Sequence, residues 1–311
     1  MKGKAWRPLR AGDIVDVVAP GYATKPEAVD RARQFLLSWG LVPRIPPNLM
    51  APHFLHANDD DSRLILLKKA LLAEDSAAVW CLRGGYGSNR LLPGLARMKA
   101  PRRAKLLVGI SDITSLHLFL SQEWGWATLH GPLLERMSPG RLAPRDHREM
   151  RDLVFGRVKQ VRFQNLKPMN EAARRLRRVK APVIGGNLTV LQSTLGTPWQ
   201  LRPRGHFLFV EDIGERGYRV DRIFEQFRQA GLFRGCRGLL LGDFTAADEP
   251  DGRNLVPLVF RRWAEDLEIP VFRGLPAGHG KVQRPVPFAT SAVLSGGGQG
   301  VLTIESGGAK R

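Results

Sequence analysis

Cysteine is scarce in this sequence. The 311-residue chain has two, Cys81 and Cys236, too far apart for a disulfide framework or a metal cluster; a reducing compartment fits them best. Long apolar runs are also missing. No stretch approaches the roughly 20 apolar residues of a membrane-spanning helix. The basic start, Met1 to Arg10, has no apolar core behind it, because Ile14 to Ala19 is too short for a signal peptide and reads as a strand. The expectation is a soluble, unsecreted, cytoplasmic protein that meets no membrane. The chain has no His-Glu-x-x-His or Cys-x-x-Cys metal pattern, no Gly-x-x-x-x-Gly-Lys phosphate loop and no Ser-x-x-Lys acylation motif. No metal and no cofactor are expected.

Acidic residues are in deficit, 29 against 48 basic ones, for a net charge of +19. Such a balance raises nucleic-acid binding as one reading. The basic residues are spread out, however: Arg31 and Arg33, Arg102 and Arg103, Arg174 to Arg178, Arg261 and Arg262. No aromatic residues alternate with them to make a stacking platform. An arginine-rich surface, with a field that attracts small anions, explains the charge better. A basic nucleic-acid-binding protein stays as an alternative of another class, and it predicts salt-sensitive binding. A 43% hydrophobic composition supports a sizeable core.

The first half alternates strand-like and helix-like segments. Asp13 to Ala19, Ala77 to Leu82 and Leu106 to Ile110 read as buried strands, and Leu41 to Ile45 is a further short apolar run. Pro26 to Trp39, Asp59 to Leu72, Ser88 to Met98 and Ile113 to Trp124 read as helices. This alternation predicts an α/β domain built on a parallel sheet, here given residues 1–163. Residues 164–180 contain Pro168 and a run of arginines without clear strand alternation, and are expected to be a connection. Residues 181–311 hold shorter strand-like runs at Phe207 to Val210, Gly238 to Leu241 and Val301 to Ile304, with one good helix at Val220 to Ala230. They are expected to form a smaller, β-rich C-terminal domain.

Four places can carry chemistry. Leu106 to Ile110 runs straight into Ser111, and a helix begins at once. That arrangement lifts a hydroxyl above the sheet and points backbone N–H groups at the same space; a plain N-cap is the alternative. Arg83-Gly84-Gly85-Tyr86-Gly87 follows another strand, and its glycines let backbone N–H groups approach a ligand. Glu211 ends the strand Phe207 to Val210, where a carboxylate can be held rigidly and can orient a histidine. His279 stands between Gly278 and Gly280, with His130 before Gly131-Pro132 as the second candidate among seven histidines. Cys81 lies in an apolar strand and is read as core.

Taken together and in order, these stretches resemble the LD-carboxypeptidase family. Gly12-Asp13-Ile14-Val15, Val18-Ala19-Pro20, the glycine loop at 83–87, Gly109-Ile110-Ser111-Asp112-Ile113-Thr114, His130-Gly131-Pro132, Gly185-Gly186-Asn187-Leu188, Leu195-Gly196-Thr197-Pro198, Glu211-Asp212-Ile213-Gly214-Glu215 with Arg219 and Arg222, and Gly278-His279-Gly280 carry the resemblance over most of the chain. It implies an N-terminal domain like that of class I glutamine amidotransferases and a small β-rich C-terminal domain. It also implies a Ser–Glu–His triad at Ser111, Glu211 and His279, the serine on the first domain and the other two on the second. The oxyanion would be held by the N–H of Asp112 and one of Gly84 or Gly85. Substrate contacts are expected at Arg83, His130 and Asn187. The implied substrate is a small anionic peptide, a murein tetrapeptide that loses its terminal D-alanine during cell-wall recycling; a homodimer is implied by family only. The runner-up is the microcin-immunity branch, which cleaves the amide of peptidyl- or aminoacyl-nucleotides and carries an added aromatic-bearing loop, of which the sequence shows no clear sign. One departure is Gly21-Tyr22 after Pro20, where the family often has Ser-Gly.

Overall fold

A computed structural model describes residues 3–137 and 141–308. Its first half lays down β1 (Ile14–Val18), α1 (Pro26–Ser38), β2 (Val42–Arg44), α2 (Asp60–Leu72), β3 (Ser76–Cys81), α3 (Leu92–Ala96), β4 (Leu106–Gly109), α4 (Thr114–Gln122), β5 (Thr128–His130) and α5 (Pro144–Val154). The local causes are those the sequence offers. Pro26 sits in the first turn of α1 and Gly40, at φ 73°, follows its end. Asp59 caps α2 by accepting from Ser62 N at 2.7 Å. β3 is buried at every position, as a strand covered on both faces must be.

The second half holds β6 (Gln160–Pro168), α6 (Glu171–Arg175), β7 (Val179–Asn187), α7 (Leu188–Ser193), β8 (Phe207–Ile213), α8 (Gly217–Gln229), β9 (Gly238–Thr245), α9 (Val256–Asp266), β10 (Val271–Arg273), β11 (Val286–Phe288), β12 (Ser291–Ser295) and β13 (Gly300–Glu305). Among the described residues the strands form a six-stranded sheet, β11-β5-β4-β3-β1-β2, and a closed barrel, β10-β6-β13-β12-β7-β8-β9. In the sheet, β2, β1, β3, β4 and β5 are parallel, and β11 is antiparallel to β5 with Val286 opposite His130. In the barrel, β7, β8, β9 and β10 run parallel and the remaining contacts are antiparallel. No described helix is long and apolar enough to cross a membrane.

Two expectations change here. Residues 164–180 are not a bare connection: they supply the end of β6, all of α6 and the start of β7 to the barrel. Alternation was hidden by a bulge. Asn165 has φ 61°, and the pairing register of β6 against β13 shifts there, so Val161 and Phe163 face the core in one phase and Leu166 in the other. The two halves are also not segregated, because the C-terminal half returns β11 to the N-terminal sheet. One apolar cluster contains Trp80, Val108 and Leu129 of the sheet together with Phe163, Phe209 and Leu302 of the barrel. Each such buried side chain contributes about 1.5–3 kcal/mol.

The strand order reverses between β1 and β3, which is where parallel α/β sheets open a crevice at the carboxyl ends of their strands. The loops after β1, β3 and β4 meet there. Tyr22 N donates to the Gly84 carbonyl at 2.9 Å, and a Cβ at Gly21 would press on that carbonyl and lie 2.8 Å from Asp112 Oδ2. Position 21, which departs from the resembled family, therefore leaves no room for a side chain.

Candidate active site

Ser111 stands on the sharpest turn in this crevice. Its φ is 67°, a left-handed conformation that costs a non-glycine residue about 1–3 kcal/mol and clusters at functional sites. Ile110 before it is extended, and a helical turn, Ser111–Ile113, leads directly into α4. Gly109 permits this because a Cβ there would lie 2.8 Å from the Ile113 side chain. On the other side, a Cβ at Gly84 would sit 2.9 Å from Ser111 Cβ and 3.2 Å from its Oγ. The glycine loop after β3 thus lies against the serine, as its sequence anticipates. Asp112 N–H is the second donor of the helical turn and has no partner within it.

The Asp112 side chain fixes that geometry. It is buried and accepts from Gly87 N (3.1 Å) and Ser88 N (2.9 Å), which ties the serine turn to the glycine loop. Burial pushes its carboxyl up to about 6, against the pull of those hydrogen bonds. Gly85, at φ 98°, is covered by the Tyr22 ring.

Glu211 and His279 form a pair. Glu211 is fully buried on β8, opposite Asn187 of β7, and its Oε2 lies 2.6 Å from His279 Nδ1. The pair fits because position 278 is glycine: a Cβ there would lie 2.7 Å from Glu211 Oε2, on a backbone at φ 126°. Burial alone would lower the imidazole's pKa. The charge and hydrogen bond of Glu211 outweigh it, and the net result is a raised value. A hydrogen bond joins the pair's barrel to the serine's sheet: Asn187 N donates at 2.9 Å to Thr114 Oγ1, three residues after Ser111. Ser111 Oγ itself has no hydrogen-bond partner among the described residues. Contacts of that kind commonly tighten only when substrate binds.

The expected substrate contacts fare unequally. Arg83 has a side chain 41% exposed, 3.9 Å from Glu135. His130 is closed off from solvent. It is 1% exposed at the carboxyl end of β5, opposite Gly109 of β4, with Phe209 and Phe288 ring centroids at 5.1 and 5.4 Å. Burial holds its pKa well below the ordinary value, so it stays neutral. Its cover is β11, whose pairing with β5 no local pattern announces. Asn187 is built into the fold: its Oδ1 caps α7 at Val190 N (3.1 Å) and its Nδ2 donates to Asp212 at 2.9 Å.

Sequence reading missed Asp243. It follows Gly242 on β9, and its Oδ2 is buried without a partner. Burial and then the charge of Glu211 push its carboxyl up to about 6. Glu211 was found as a carboxylate at a strand end, and the same pattern marks Asp243. Among the described residues no group of three or more histidine, cysteine or acidic side chains is placed to hold a metal ion.

Models of the LD-carboxypeptidase N-terminal and C-terminal domains match residues 15–131 and 180–294. The chain is 31% identical over 298 residues to a murein tetrapeptide carboxypeptidase of Pseudomonas aeruginosa, covering 94% of this chain and 96% of that one. It is similar to the crystal structure of a muramoyltetrapeptide carboxypeptidase from Oxalobacter formigenes, with a TM-score of 0.82, 28% identity, and 94% and 98% of the two chains covered. The microcin C7 self immunity protein MccF shares the fold, with a TM-score of 0.83 at 18% identity and 98% and 99% of the chains covered.

Proposed function

The chain belongs to the LD-carboxypeptidase family, and from that premise we propose that it is a serine carboxypeptidase that releases the terminal D-alanine of murein tetrapeptides, with Ser111, Glu211 and His279 as its triad. The observation that carries this reading is the buried Glu211–His279 pair at 2.6 Å. A carboxylate fixed on Nδ1 leaves Nε2 as the proton acceptor and stabilises the imidazolium that forms.

His279 takes the Ser111 proton as Oγ attacks the peptide carbonyl. The negative charge on the carbonyl oxygen is held by Asp112 N–H and by Gly84 or Gly85 N–H. The tetrahedral intermediate collapses, the C–N bond breaks, and His279 returns the proton to the leaving amine. Water, activated by the same imidazole, then hydrolyses the acyl-enzyme. The raised pKa of His279 makes it a stronger base. Arg83 offers a cation at the crevice to an anionic peptide. A cytoplasmic location and a homodimer belong to the same proposal; two buried free cysteines and the family resemblance support them in turn.

The test is mass spectrometry of murein tetrapeptide incubated with the wild type and with Ser111→Ala, in chelator. Loss of one D-alanine with the wild type alone is expected. Loss with both proteins refutes Ser111 as nucleophile. Loss with neither moves the substrate to nucleotide amides.

A further inference from the structure

We infer that Arg136 binds the free carboxylate of the peptide's terminal residue and so makes the site a carboxypeptidase rather than an endopeptidase. This deepens the proposed function and rests on it. Arg136 closes a helical turn, Leu134–Arg136, in the segment after β5. Its backbone is pinned: Glu135 N donates to the Leu82 carbonyl at 3.1 Å, Arg136 N to the Leu133 carbonyl at 2.9 Å, and Leu134 is fully buried.

Its side chain is different. Nε is buried without a hydrogen-bond partner, and among the described residues the guanidinium makes no hydrogen bond and no ion pair. Other inward guanidiniums are committed. Arg63 donates to the carbonyls of Asn58, Pro20 and Gly87 and pairs with Asp60. Arg284 holds Glu149, and Arg44 holds Asp16 and Asp75. Arg31 and Arg151 also have an unpartnered Nε, but the turn that ends in Arg136 is held against the loop after β3, where Glu135 N is bonded to Leu82 and its carboxylate lies 3.9 Å from Arg83, and the charge of Arg136 also acts on His279. A half-buried cation without a counter-ion is costly unless an anion arrives.

The chemistry places that anion. In a carboxypeptidase the free carboxylate sits on the leaving residue, one carbon away from the amine that takes its proton from His279. The group that reads this carboxylate must therefore lie beside His279, and a guanidinium matches a carboxylate with two parallel hydrogen bonds. Binding also has a consequence for the base. The charged groups acting on His279 are Glu211 and Asp212, which raise its pKa, and Arg136, which lowers it; buried neutral His130 and half-buried Asp243 stand close by. A bound carboxylate offsets Arg136, so the imidazole becomes a stronger base when the correct substrate is present.

The experiment measures kcat/KM for a murein tetrapeptide and for the same peptide with its terminal carboxylate amidated. Wild type, Arg136→Gln, Arg136→Lys and Arg83→Gln are compared, with circular dichroism to verify folding. The wild type should prefer the free acid about 10- to 100-fold, the worth of a charge-assisted hydrogen-bond pair. Arg136→Gln should lose that preference, mainly through KM, and its acid limb should move to higher pH. Arg136→Lys should restore part of the preference, and Arg83→Gln should keep it. Equal losses on both peptides, a preference that survives Arg136→Gln, or one abolished by Arg83→Gln would overturn the inference while leaving the enzyme a carboxypeptidase. Release from neither peptide by the wild type overturns the proposed function, and this inference with it.

Discussion

A serine hydroxyl is a weak nucleophile, and what activates it is set residue by residue. In the proposed mechanism His279 must be neutral to accept a proton, yet Glu211 raises its pKa. The acid limb of the wild-type kcat/KM profile should therefore lie above the ordinary histidine value of about 6.5. Glu211→Gln keeps the shape and removes the charge. It should move that limb to lower pH and cost about 10⁴-fold in kcat; a limb that stays in place would assign it to another group. The three residues proposed as the triad stood out in the sequence because each stands at a place with a backbone signature: a strand running into a helix at Ser111, a strand end at Glu211, a glycine-flanked turn at His279. The burial of His130 was not legible because it is imposed by β11, which pairs with it from far along the chain. Arg136 has no local signature at all. Its lack of partners can be seen only in three dimensions.

Strand ends and the glycines beside them set the distances in the site. Gly278 is the sharpest case, for a side chain there meets both a positive φ and the Glu211 carboxylate. Gly278→Ala should lower stability by about 1–3 kcal/mol and reduce kcat at least 10-fold, because Glu211 cannot keep its place. A thermal melt combined with steady-state kinetics checks both effects, and an unchanged kcat would separate the glycine from the pair. At this scale the parallel strands β1, β3 and β4 were readable as short apolar runs buried on both faces. The strands of the barrel were less so. β6 changes phase at Asn165, and β10 and β11 have only three residues each, too short for any period to register.

In the molecule as a whole, the sheet and the barrel share one apolar cluster and a strand crosses between them. Heating should produce a single cooperative transition with equal calorimetric and van't Hoff enthalpies. Two resolved transitions would mean that the halves fold separately. The sequence announced two regions of different character, and it could not show that the second completes the first. The net charge of +19 follows the same logic: its sign was evident from composition, but which arginine is left unpaired beside the imidazole depends on the fold.

The pairing of Val286 with His130 also sets an order of events during synthesis. Ser111 leaves the ribosome early, on a sheet whose β5 edge is still open, while Glu211 and then His279 follow much later. The closing strand, β11, emerges after every group proposed to do the chemistry, with β12 and β13 of the barrel still to follow. A nascent chain therefore carries its serine without the partner proposed to activate it until β8 and the turn at His279 have both been made.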